Sequence, residues 1–203
     1  MKKCVIFCAA EFEGLWEPLQ DAFVIAADGG LRHLQALGVM PDAVIGDFDS
    51  LGFVPEGAQV FPVEKDDTDA MLAARMGLEA GCGEFVLYGA LDGARVDHTV
   101  ANFQLLAWLA DRDARGTLVG LRQCATVIRN GEIRFPADHK GGFSVFCLGA
   151  DAEGASITGG QYLLENGVLS SGFPLGVSNH FMGEEVSISV KKGRLLVIWD
   201  RQK

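Results

Sequence analysis

The sequence predicts an α/β protein in two parts: an N-terminal α/β domain on an open parallel, Rossmann-like sheet over residues 1–124, then a C-terminal all-β sandwich over residues 125–203. Three observations carry this expectation. Short, wholly apolar runs alternate with helical stretches through about the first 120 residues, the grammar of strands joined by crossover helices. Those runs lack polar alternation, as strands covered on both faces do. Beyond them, only short strands separated by turn residues are visible.

Taken in order, Cys4-Val5-Ile6-Phe7-Cys8 and Ala22 to Ala26 read as the first two strands. Gly29-Gly30 opens a helix carrying Leu31, Leu34 and Leu37, closed by Gly38 and Pro41. Ala43 to Ile45 is the third strand, Gly46 to Ser50 the loop at its end, and Val60 to Val63 the fourth strand. Thr68 to Ala80 is the clearest helix, with Ala70, Ala73, Ala74 and Gly77 on a small-residue face and Gly81 as its stop. Phe85 to Tyr88 repeats the buried-strand pattern. A helix follows from Val96 to Ala110 with Val100, Phe103, Leu106 and Leu109 as its buried stripe, and Gly116 to Leu121 closes the series.

In the second part, Ala125 to Arg129 and Glu132 to Phe135 flank Asn130-Gly131, the signature of a tight hairpin. Further strands are expected at Phe143 to Leu148, Ala155 to Thr158, Leu169 to Ser171, Val186 to Val190 and Leu195 to Trp199, the last two joined by a turn at Lys191 to Arg194. A β unit this small is marginal alone and is expected to lean on the first domain or on another subunit.

Composition narrows the function. With 27 acidic against 17 basic residues the net charge is −10, which disfavours binding to nucleic acid. A content of 49% hydrophobic and 22% charged residues excludes a disordered chain. No apolar run is long enough for a bilayer, and Lys2-Lys3 leads through a short apolar stretch straight to Glu11, so neither a membrane span nor a signal peptide is expected. Five cysteines at wide spacings suit a reduced, cytoplasmic setting.

The acidic residues gather where strands end: Asp47 and Asp49 after the third, Asp66, Asp67 and Asp69 after the fourth, Asp92 and Asp97 after the fifth. In an open α/β sheet the ligand crevice lies outside those carboxyl ends. So many carboxylates in one crevice call for divalent cations, and all-oxygen donors without a His or Cys cluster favour magnesium or manganese over zinc. Asp47, Asp49 and Asp69 are the candidate metal ligands. In Lys65-Asp66-Asp67-Thr68-Asp69, Thr68 or Asp67 caps the helix, its first-turn amides are free for a phosphate oxygen, and Lys65 is a counter-charge. Arg95 suits a phosphate clamp. His98 and Asn102 share one helix face, and Ala27-Asp28-Gly29-Gly30 supplies a glycine turn before a helix.

That ordered set, Ala27-Asp28-Gly29-Gly30, Pro41-Asp42 with Gly46-Asp47-Phe48-Asp49-Ser50, Lys65 to Asp69, Arg95-Val96-Asp97-His98 with Asn102, and Ser178-Asn179, resembles the thiamine pyrophosphokinase family over nearly the whole chain. The resemblance implies transfer of the terminal two phosphates of ATP to the hydroxyl of thiamine, in a homodimer holding thiamine between domains of different subunits. It implies Asp47, Asp49 and Asp69 on magnesium and Asp97 orienting or deprotonating the hydroxyl. Asp28, Gly29, Gly30, Lys65, Thr68, Arg95, His98 and Asn102 form the expected ATP side, and Tyr162, Ser178 and Asn179 the expected thiamine side. The chain departs from the family at Gly93-Ala94-Arg95, where many members have Gly-Gly-Arg, and at Cys8-Ala9-Ala10-Glu11, where relatives often have a glycine-rich turn. Other readings of the same residues are a pyrophosphokinase acting on a pterin alcohol, a metal-dependent phosphohydrolase, and a non-catalytic nucleotide binder.

Overall fold

The computed structural model describes residues 1–46, 59–60 and 67–202. Among them run fourteen strands and three α-helices: β1 (Lys2–Phe7), β2 (Phe23–Ala27), α1 (Leu31–Leu37), β3 (Ala43–Gly46), β4 (Gln59–Val60), α2 (Asp69–Glu79), β5 (Cys82–Tyr88), α3 (Val96–Ala110), β6 (Arg115–Val119), β7 (Gln123–Arg129), β8 (Glu132–Phe135), β9 (Gly142–Cys147), β10 (Ala152–Thr158), β11 (Leu164–Leu169), β12 (Gly176–His180), β13 (Val186–Ser189) and β14 (Arg194–Asp200). A 3-10 turn, Asp28–Gly30, leads into α1.

Ten strands form one mixed sheet in the order β12-β9-β14-β7-β6-β5-β1-β2-β3-β4, and β11-β10-β13-β8 form a separate antiparallel sheet. From β4 to β6 all pairings are parallel, and from β6 to β12 all are antiparallel. Residues 124 and 125 are neighbours within β7, so the large sheet runs unbroken from the α/β part into the β part.

The apolar runs behave as expected of doubly covered strands. Cys4 and Ile6 point to the face packed by α2 and α3, while Val5 and Phe7 point to the opposite face, where Leu31 and Leu34 of α1 join the core. That second cluster continues through Phe143, Val145 and Val197 of the large sheet to Ile157, Val186 and Ile188 of the small one, so the two sheets bury a common apolar layer. Ala70, Ala73, Ala74 and Gly77 form the buried face of α2, as their spacing predicts. In α3 the buried stripe is turned from the expected one. Leu105, Ala107 and Ala110 join Leu106 and Leu109 inside, whereas Val100 is 51% exposed, because the first turns of α3 stand clear of the sheet at the cleft described below. No helix among the described residues is long and apolar enough to cross a membrane, and all five cysteines are free thiols.

The hairpin expected at Asn130-Gly131 is not one. β7 pairs with β6 and β14 in the large sheet, but β8 pairs with β13 in the small one. Asn130 has φ +46° while Gly131 is not left-handed, so the two residues form a corner between sheets and not the mirror-image turn their identities suggest. The Lys191 to Arg194 connection crosses back the same way, from β13 to β14. The two corners bind one another: Asn130 N donates to Gly193 O at 3.1 Å, and Gly193 N donates to Asn130 Oδ1 at 2.9 Å. The expected strand at Leu169 to Ser171 is only the end of β11, and β12 was not anticipated because its Gly176, Ser178 and Asn179 lack strand propensity. For the fourth strand, only Gln59–Val60 is described; residues 61–63 lie outside the described residues.

One titratable ring is part of the aromatic layer. His139 lies against Phe181 and Phe135, with ring centroids 4.6 Å and 5.1 Å away, and its Nε2 is buried without a hydrogen-bond partner. Burial pushes its pKa below the ordinary 6.5, outweighing the Asp200 backbone and the Asp138 carboxylate, which act upward. A depressed folded-state pKa means that the unfolded chain binds the proton more readily. The stability this neutral ring provides is therefore present above 6.5 and is lost as pH falls through that value toward the folded pKa. His139→Phe is expected to flatten the fall of Tm between about pH 7 and pH 5. An unchanged slope would discount His139 as a source of acid sensitivity.

Candidate active site

The chain leaves β1 toward β2 on one side and returns to β1 on the other as β5, which makes the gap between β1 and β5 a topological switch point. Ligands of open α/β sheets bind outside the strands' carboxyl ends at such points. A cleft of about 300 Å³ opens there, walled by residues 8–10 after β1, Ala27 and Asp28 after β2, residues 68–70 at the start of α2, and the stretch from Gly89 to Asn102.

Two glycines make this packing possible. Gly89 has φ +63°, and a Cβ there would lie 2.5 Å from the Cys8 carbonyl oxygen. Gly30 would place a Cβ only 1.9 Å from the Phe7 carbonyl oxygen, so the 3-10 turn rests directly on the β1 backbone. Between them the wall after β1 is held by Cys8 N donating to Tyr88 O at 2.8 Å, Ala10 N donating to Gly89 O at 3.0 Å, and His33 Nε2 bonded to Ala10 O at 2.8 Å. Asp28 enters the cleft from a left-handed backbone, φ +46°, which Asp tolerates better than most residues. Gly29 and Gly30 are buried in the turn and contribute backbone only.

Thr68 caps α2, its Oγ1 accepting from Met71 N at 3.2 Å, and Asp69 occupies the first helical turn. Both line the cleft. Burial pushes the Cys8 thiol up to about 12, and the negative fields of Asp69 and Asp28, which line the cleft with it, push it in the same direction. The expected residues Asp47, Asp49, Lys65 and Asp66 lie outside the described residues. Among the described residues, no three His, Cys, Asp or Glu side chains are grouped to hold a metal ion.

Across the cleft, Arg95 Nη2 lies 2.6 Å from Asp97 Oδ2 and its Nε 3.3 Å from Oδ1, both side chains being largely exposed. This hydrogen bond to Arg95 holds the Asp97 carboxyl below the usual carboxylate range. Arg95 lines the cleft, as do His98 and Asn102, whereas Asp97 stands at its rim. Asn102 is buried and its Nδ2 donates to Ala90 O at 2.7 Å, so it fastens the loop after β5 to α3. Asp92 turns away from the cleft, its Oδ2 accepting Leu121 N at 2.6 Å.

A second cleft, of about 240 Å³, lies by β11 and β12 and is lined by Tyr162, Leu163, Leu175, Val177 and Asn179 among others. Tyr162 is 60% exposed and therefore not a core ring. Asn179 is buried, and its amide is engaged with the chain: Oδ1 accepts Tyr162 N at 3.0 Å and His180 N at 2.9 Å, while Nδ2 donates to Tyr162 O at 2.6 Å. It sets the turn that presents Tyr162. Ser178 is exposed beside this cleft with φ +62°, its N–H donating to Ser144 Oγ at 3.1 Å. Sequence reasoning missed Thr99 and the apolar Leu163, Leu175 and Val177 as lining residues. Leu163 and Leu175 lie in the connections just before β11 and β12, where no periodic pattern marks an apolar residue.

Residues 12–118 match the family model for the thiamin pyrophosphokinase catalytic domain, and residues 131–195 match that for the thiamin pyrophosphokinase vitamin B1 binding domain. The chain belongs to the thiamine pyrophosphokinase family. A thiamine pyrophosphokinase of Bacillus subtilis is 28% identical over 183 residues, covering 86% of this chain and 85% of the relative. Among solved structures, the thiamine pyrophosphokinase of Bacillus subtilis superposes with a TM-score of 0.84 at 24% identity over 100% of both chains. That of Geobacillus thermodenitrificans gives 0.82 at 25% identity over 100% of this chain and 99% of its own. The stretch between the two matched thiamine pyrophosphokinase regions contains β7, through which the large sheet continues.

Proposed function

We propose that the chain transfers the pyrophosphoryl group of ATP to the hydroxyl of thiamine, with ATP in the switch-point cleft and thiamine against the β11–β12 surface. A bond forms between the thiamine oxygen and the β-phosphorus, the bond from that phosphorus to the oxygen bridging to the α-phosphate breaks, the hydroxyl proton passes late in the step to solvent, and AMP leaves. The observation that carries this reading is the meeting of the α2 first turn, Asp28 and the Arg95 arm at the switch point. The vitamin B1 binding match over residues 131–195 favours thiamine over a pterin alcohol or water as acceptor.

In this reading the first-turn amides of α2 receive phosphate oxygens next to Thr68, with Lys65 as counter-charge. Arg95 exchanges Asp97 for phosphate, which releases the Asp97 carboxylate to the thiamine hydroxyl. A carboxylate is in any case a weak base toward an alcohol, so the released Asp97 serves mainly to orient the hydroxyl. Asp28 and Asp69 bring carboxylate oxygens to the lining of the cleft, a donor chemistry that suits Mg²⁺. Asp69 would hold it with Asp47 and Asp49. Bound there, Mg²⁺ supplies charge neutralisation and polarisation of the phosphate oxygens.

The division of labour proposed is a Rossmann-like ATP and magnesium part over residues 1–124 and a sandwich-like thiamine and dimerisation part over 125–203. β12 stands five strand positions from β5 in the large sheet, roughly 24 Å at the usual strand spacing. That spacing within one chain supports a site completed by a second chain. A second copy brings its β11–β12 surface, with exposed Leu163, Phe173, Leu175 and Val177, to the first chain's ATP cleft. The free cysteines agree with a reduced cytoplasmic setting.

Mixing two inactive variants tests the shared site. Asp69→Asn and Tyr162→Ala homodimers are each expected to be nearly inactive. Random exchange of their subunits should recover about a quarter of wild-type activity, since half the dimers are mixed and each mixed dimer keeps one intact site. No recovery after demonstrated exchange would mean that both substrates bind within one chain.

A further inference from the structure

Arg75 lies on α2, outside the residues that line the cleft, yet it reaches back to the segment entering that helix. Its Nε is 2.9 Å from Asp67 Oδ2 and its Nη2 is 3.5 Å from Asp67 Oδ1, so the guanidinium meets both oxygens of the carboxylate. The same guanidinium sits 5.3 Å from the centroid of the Trp108 ring on α3. Arg112 covers that ring at 3.9 Å and ties itself to the helix through Nη1 donating to Trp108 O at 3.0 Å. A continuous series of contacts therefore runs from α3, through Trp108 and Arg75, to Asp67. Asp67 does not line the cleft, but the next two residues, Thr68 and Asp69, do.

We propose that Arg75 is a positioning residue for the nucleotide: by holding Asp67 it fixes the backbone that sets Thr68 and Asp69 at the cleft. This rests on the assignment of that cleft to ATP. The arrangement gives a role to the pairing of Asp67 with an arginine. Asp67 serves as an anchor for the entry to α2, and the planar, two-pronged guanidinium can hold it in one orientation while lying on the indole. An exposed pair of this kind contributes little to global stability. Its effect belongs in substrate placement, where small displacements are costly.

Steady-state kinetics with magnesium in excess, together with thermal melts, test the proposal on the full-length protein. Arg75→Gln and Asp67→Asn should each raise KM for MgATP roughly fivefold, with kcat, KM for thiamine and Tm close to wild type. The double variant should be no worse than either single one, because the two side chains act as a unit. Arg75→Lys should restore only part of the loss, since an ammonium keeps the charge but not the fork. An unchanged KM for MgATP in Arg75→Gln, additive effects in the double variant, or a far larger loss in Asp67→Asn than in Arg75→Gln would overturn it. Asp69→Asn in the same assay distinguishes the two levels. If it too handles MgATP normally, the assignment of the cleft fails; if it is impaired while Arg75→Gln is not, only the brace fails.

Discussion

Asp69→Asn is expected to lower kcat by roughly 10²–10³-fold while the fold is retained. The substitution keeps the size of the side chain and removes its charge, so packing around the α2 first turn is nearly unaltered. What it removes is a hard anionic side chain from the lining of the cleft, to which Asp28 also contributes. A small loss of helix stability accompanies it, because an acid in the first turn complements the helix dipole, a contribution of about 0.3–1 kcal/mol at an exposed site. Turnover measured across a magnesium titration, beside far-UV circular dichroism, checks the result. Near-normal turnover at limiting magnesium, with unchanged spectra, would remove Asp69 from the residues proposed to hold Mg²⁺.

Gly30→Ala carries the largest expected effect on stability, about 3 kcal/mol. The added methyl would stand 1.9 Å from the Phe7 carbonyl oxygen and 2.3 Å from its carbon, and Phe7 is fully buried in the sheet. The 3-10 turn would have to retreat from β1 and carry Asp28 with it, so activity should fall along with stability. Gly38→Ala is the useful contrast. Gly38 has φ +67° but no atom within 4 Å of a Cβ position, so its cost is conformational and stays near 1 kcal/mol. Urea melts of both variants check this, and a Gly30→Ala protein within about 1 kcal/mol of wild type would show that the turn can move freely.

Legibility in the sequence followed the range of the interactions involved. The bounds of α3 and the small-residue face of α2 were readable because helix periodicity and caps are local signals. β1, β2 and β5 were readable because both of their faces are buried. The corner at Asn130-Gly131 was not, since the same dipeptide serves a hairpin or a crossing, and only the partner strand decides between them. At the site, Thr68, Asp69 and Arg95 could be placed from strand ends and helix starts. The tasks of Asn102, Asn179 and Asp92 could not, because each hydrogen-bonds to backbone 12 to 29 residues away and no local pattern records such a partner.

The position of β14 bears on how the molecule is made. This strand follows every other described strand in the chain, yet it pairs with β7 on one side and β9 on the other. While the polypeptide is being synthesised, β7 and β9 wait with unpaired edges until residues 194–200 emerge. The parallel strands nearer the N-terminus can associate earlier, but the sheet they belong to cannot close over its full width. Open edges of this kind are the points at which nascent chains pair wrongly with one another, and late, long-range closure slows folding. Completion of the large sheet is thus a late event, in which one strand joins two edges and brings β9 and β12 into register with β7.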